Sequence, residues 1–78
     1  MKLYKILDKC HGIKCISCHN PYLGNIIIVN NNNNNSTIDK IKNMYIDDFE
    51  IDVIECSMTI ELSANDYNEY VLKELGWF

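Results

Sequence analysis

The chain has 78 residues, a formal net charge of −4, and neither arginine nor glutamine. A chain of this length makes one domain and buries only about 60% of the surface its unfolded form exposes. Those figures exclude a large multi-step enzyme and a rod-like fold, and the missing arginine disfavours a nucleic-acid binder built on guanidinium contacts.

The abundance of Ile and Asn and the scarcity of Gly, Ala and Pro carry the imprint of an AT-rich genome rather than of a chemistry. The charge is polarised along the chain. Residues 1–24 carry Lys2, Lys5, Lys9 and Lys14 against Asp8, whereas residues 36–78 carry three lysines against ten acids. Such asymmetry shapes long-range fields and the choice of partner rather than the fold.

In chain order, the apolar segment 2–7 is expected to form a short strand. Lys5 and Asp8 interrupt it, so it provides no secretory h-region. The longest unbroken apolar run is Ile26 to Val29, far short of a membrane span, and the chain is expected to be cytoplasmic. Residues 8–24 read as a polar Cys/His loop, with Gly12, Asn20-Pro21 and Gly24 as turn signals. Residues 26–29 are β-branched throughout without alternation, which predicts a strand covered on both faces at the centre of a sheet. The asparagine run 30–35 is expected to be a connector, because Asn side chains compete with regular structure and have nothing to bury.

Ser36 is placed to cap a helix, with Asp39 three residues on and Ile38, Ile41 and Tyr45 at helical spacing. From residue 46 the period changes to two: Phe49, Ile51 and Val53 alternate with Asp48, Glu50 and Asp52, as in a half-buried strand. The phase then shifts so that Ile54, Cys56, Met58, Ile60 and Leu62 share a face, which requires a bulge or a second strand. Ser63 is expected to cap a last helix over 64–75 with a stripe of Ala64, Tyr67, Val71 and Leu75. Gly76 stands at its C′ position. The predicted fold is a single α+β domain over 1–78, in β-β-α-β(β)-α order, with a three- to four-stranded, mainly antiparallel sheet and two helices on one face.

The densest chemical cluster is Cys10-His11 with Cys15-Ile16-Ser17-Cys18-His19. In a reducing compartment these thiols do not imply disulfides. A Cys-x-x-Cys turn can present two thiolates to one ion, so zinc is the candidate cofactor. Its candidate ligands are Cys10, Cys15, Cys18 and His19, with His11 and Cys56 as alternates. A structural metal would suit a domain with so small a core. The pentapeptide at 15–19 also resembles the haem-attachment signature of the small cytochromes c. That resemblance implies thioether links from Cys15 and Cys18, an axial His19, and Met44 or Met58 as second ligand. A thiol redox role would need the Cys-x-x-Cys to open a helix, which Asn20-Pro21 opposes. No orienting third group completes a Cys–His pair, so the chain is expected not to be an enzyme.

The second cluster is acidic. Along a strand, Asp48, Glu50 and Asp52 would project at intervals of about 6.6–6.8 Å, close to two phosphate steps of about 3.4 Å. Asp47 and Glu55 extend the row. Such a row can either guard a sheet edge against aggregation or occupy a Lys/Arg-lined groove of another protein. The terminal pair Trp77-Phe78 either closes the core or anchors a partner. In size, charge and composition the chain is similar to the small acidic proteins with which phages and mobile elements inhibit host defences, including anti-CRISPR proteins. The expected function is therefore a protein-interaction module, an inhibitor acting through its acidic strand face on a partner with a basic surface. Direct contact with nucleic acid or membrane is disfavoured. The alternative is a zinc-stabilised module that binds through the basic Cys/His loop.

Overall fold

A computed structural model describes residues 1–30 and 35–78. The elements are α1 (Tyr4–Leu7), β1 (Cys15–Asn20), β2 (Asn25–Asn30), α2 (Asn35–Ile41), β3 (Ile46–Asp52), β4 (Ser57–Leu62) and α3 (Asp66–Glu74). The four strands make one mixed sheet in the order β2-β1-β4-β3. The outer pairs are antiparallel and the central pair, β1 with β4, is parallel. The α+β class is as the sequence predicts, although the sheet is mixed and the described residues form three helices. Of the expected connector 30–35, Asn30 ends β2, Asn35 opens α2, and 31–34 lie outside the described residues.

Several elements differ from the sequence expectation. Segment 2–7 is a turn of helix and not a strand, because Leu3 and Ile6, three residues apart, both bury against the core. Only Lys2 keeps a strand-like bridge, to Tyr45. The expected loop 8–24 contains β1, the strand at the sheet's centre. Its alternation of Ile16, Cys18 and Asn20 inward with Cys15, Ser17 and His19 outward is a regular period of two once cysteine counts as apolar.

β2 is correspondingly an edge strand. It pairs with β1 from Cys15↔Asn30 to Asn20↔Asn25, and Ile26 and Ile28 remain 65% and 68% exposed. The phase shift after Val53 is a second strand: a turn over 53–56 joins β3 to β4, with Asp52 Oδ1 accepting the N–H groups of Ile54 and Glu55 at 3.0 Å each. Val53 and Ile54 stand at the tip of this hairpin, exposed.

The helix ends differ as well. Helix α2 already includes Ser36, so that residue is not its cap, and it stops at Ile41 rather than near Tyr45. The cap of α3 is Asn65, whose side chain accepts the Asn68 N–H at 2.8 Å. Ser63 instead donates its hydroxyl to Asp47. The buried stripe of α3 is Asn68, Val71 and Leu72, with Leu75 partly buried, whereas Tyr67 is exposed. Glu69 and Lys73, one turn apart on α3, form an ion pair at 3.3 Å. Gly76 is at φ +74° and closes a Schellman motif: Gly76 N–H reaches the Lys73 carbonyl, and Trp77 N–H the Leu72 carbonyl at 2.8 Å.

The core lies between the helices and one sheet face. Ile16 and Cys18 of β1, Val29 of β2 and Met58, Ile60 and Leu62 of β4 meet Leu3, Ile6, Ile41, Met44, Val71 and Leu72. Two asparagines are fully buried with them. Asn68 accepts from the Tyr45 N–H and donates to the carbonyls of Tyr45 and Ser63, which fastens α3 to the start of β3. Asn20 accepts from the Tyr22 N–H and donates to the Trp77 carbonyl, tying the C-terminus to the β1–β2 turn. Tyr22 adds a hydrogen bond from its hydroxyl to the Asn65 carbonyl.

Candidate functional site: the open face of the sheet

Because the helices cover one face, the registers define the composition of the other. Reading across from β2 to β3, one row runs Ile28, Ser17, Thr59, Glu50. The next runs Ile26, His19, Glu61, Asp48. At the other end of the strands Cys15, Ser57 and Asp52 align. The face thus grades from apolar at the β2 edge to acidic at the β3 edge. None of the four strands contains a lysine. A shallow concavity of about 360 Å³ crosses it, lined among others by His19, Ile26, Asp48, Glu50, Thr59 and Glu61.

The acidic residues singled out from the sequence divide between this face and its border. Asp48, Glu50 and Asp52 project from β3 onto the open face, as their alternation predicts. Asp47 falls at a register shift between Ile46 and Asp48, where it accepts the Ser63 hydroxyl at 2.6 Å. Glu55 sits in the β3–β4 turn. Glu61, which the sequence reading passed over, joins the group because β4 places it directly opposite Asp48. Two carboxylates facing each other across antiparallel strands repel, at a cost of roughly 0.2–1 kcal/mol. The strand partner of Glu50 is Thr59, so no cation relieves the row from β4.

The C-terminal aromatics are held by the fold. Trp77 packs against the core, and Phe78 lies 5.6 Å from the Tyr22 ring with the Lys73 ammonium 5.2 Å above it. Trp77 is thus partly buried against the core, and Phe78 stays 45% exposed.

The cysteine cluster is dispersed. A Cys-x-x-Cys in an extended strand directs its two thiols to opposite faces, and here Cys15 is on the open face while Cys18 is buried in the core. Burial pushes the Cys18 thiol up to about 12, with Cys15 adding in the same direction, so Cys18 stays a protonated core side chain. His19 shares the face of Cys15 and not that of Cys18, so the pentapeptide does not offer the one-sided attachment that haem or a tetrahedral ion requires. The remaining candidate ligand Cys10 and the alternates His11 and Cys56 line a separate cavity of about 320 Å³ with Asp52. Among the described residues no group of three or more His, Cys, Asp or Glu side chains is placed to hold a metal ion. The donors do not fit the zinc site that their spacing suggests.

Fold and face together define a small α+β domain with one lysine-free, acid-bordered sheet surface open to solvent. Comparison with family models, curated proteins and solved structures finds no match to this chain. Among the described residues, no helix is long and apolar enough to cross a membrane.

Proposed function

We propose that the protein is a cytoplasmic protein-interaction module, an inhibitor of phage or mobile-element type, whose open sheet face docks on the basic surface of a nucleic-acid-binding or defence protein. The observation that carries this reading is the like-charge pair Asp48–Glu61, extended along β3 by Glu50 and Asp52. Guarding a sheet edge needs charge only on the edge strand itself. Here the second carboxylate stands on β4, one strand in from the edge, where it costs stability without protecting anything. A partner's lysines and arginines would relieve that repulsion on binding. The carboxylate interval of about 6.6–6.8 Å suits side chains arranged to hold alternate phosphates of a nucleic-acid strand.

The test is affinity capture with the tagged full chain from its native cells, with mass spectrometry of what is retained. The reading expects a partner with a basic groove that is released by salt and whose nucleic acid competes with the protein for it. It expects Asp48→Asn, Glu50→Gln and Asp52→Asn together to abolish capture. Undiminished capture by that triple variant would refute it.

A further inference from the structure

The two edges of the sheet are built in opposite ways. β3 carries Asp47, Asp48, Glu50 and Asp52 and a register shift near its start, features that discourage another strand from pairing there. β2 has the sequence Asn-Ile-Ile-Ile-Val-Asn, without a charge or a proline, and pairs with β1 without a break in register. On its open face it exposes Ile26 and Ile28 side by side. A regular, neutral, β-branched edge of this kind is a template for another strand.

We propose that β2 pairs antiparallel with β2 of a second copy of this chain, about a two-fold axis normal to the sheet, to give a continuous eight-stranded sheet. Parity restricts the register to pairs centred on a residue. Residues directly opposite in an antiparallel pair share a face, and the two-fold makes the contact isologous, so their numbers must add to an even total. Centring the pair on Ile27 sets Ile26 against Ile28 of the second copy and Ile28 against its Ile26. The four exposed side chains then form one apolar patch on the open face, while the Ile27 pair meets on the helical side.

Charge sets the orientation of the pair. Each chain carries −4, and the strand acids lie on β3 and β4, away from β2. Pairing through β2 puts the two β3 strands at the outer edges, seven strand spacings or about 33–34 Å apart. That separation is several times the screening length of about 8 Å at physiological salt. Pairing through β3 would bring like charges together. A β2-to-β3 contact would be heterologous and would not close. The acidic half of each open face stays exposed in the dimer, so the assembly presents two copies of it.

Sedimentation velocity of the full chain from about 5 to about 500 µM tests the proposal through mass action. It expects a species of twice the 9.1 kDa chain mass that grows with concentration. It also expects the double substitution Ile26→Lys and Ile28→Lys, at two exposed positions, to leave a monomer with an unchanged circular dichroism spectrum. Amide exchange on the unaltered chain gives a second readout: protection of residues 26–28 should rise about tenfold or more across the same range while that of β4 changes little. A wild-type monomer throughout, open-ended polymers, or a double variant that still dimerises would each overturn it.

Discussion

Asn68 is one of eleven asparagines in a chain whose composition makes any one of them look incidental. Its position gives it a function. Fully buried on α3, it uses its acceptor and both donors on the backbone of Tyr45 and Ser63, doing for those groups what a paired strand would do. Replacing it with Leu preserves approximate size and strands the Tyr45 N–H and the Ser63 carbonyl, while the Tyr45 carbonyl keeps the Ser63 N–H, so Asn68→Leu should cost about 2–4 kcal/mol in urea unfolding. A change under about 0.5 kcal/mol would show that the network contributes nothing net. Cys18 gives a pH signature at the same scale. Its thiol titrates at about 12 when folded, against 9.0 as the ordinary value. The folded state therefore holds the proton more tightly, and the stabilisation is complete below pH 9. It is lost as pH rises towards 12, by at most about 1.4 kcal/mol per pH unit. The stability difference between wild type and Cys18→Ala should accordingly be larger near about pH 8 than near about pH 10.5. An equal difference at the two pH values would mean that Cys18 ionises as freely in the fold as out of it.

Among the elements, β3 and β4 make the most direct prediction, because the same residues are assigned to binding and carry a repulsive cross-strand pair. Asp48→Asn removes one of two facing carboxylates on an exposed edge and should raise stability by roughly 0.2–1 kcal/mol while weakening partner capture. Thermal melts at low ionic strength measure the gain, and a loss of stability would indicate that Asp48 serves the fold. The elements also show where local pattern was legible. The alternation of β3, the phase shift into β4 and the Gly76 terminus of α3 are read correctly because each depends on neighbours in sequence. The sequence places 26–29 at the centre of the sheet and reads β1 as loop, and both differ from the structure for a physical reason. An unbroken apolar run marks a strand but not which strands flank it, and two cysteines with a histidine in β1 look like ligands until alternation places one thiol in the core. At the helix starts, Ser63 has the chemistry of a cap. It is drawn off by Asp47, and Asn65 caps instead because the buried Asn68 fixes where α3 begins.

At the scale of the molecule, charge is organised by layer rather than by half of the sequence. All seven lysines lie outside the strands, and the open face holds Asp48, Glu50, Asp52 and Glu61 with no lysine among its strand residues. Two pairings produce this arrangement: the parallel β1–β4 pair lays Glu61 beside His19, and the antiparallel β3–β4 pair lays it opposite Asp48. The sequence by itself determined the α+β class, the acidic alternation of β3, the change of phase after Val53 and the helix C-terminus. Local periodicity and turn chemistry suffice for those. Only the tertiary structure decided which strand is central, that the Cys-x-x-Cys thiols part to opposite faces, that Trp77 packs against the core, and that Glu61 completes the acidic face. Each of those depends on contacts between residues far apart in the chain, whose register is set by burying one common core.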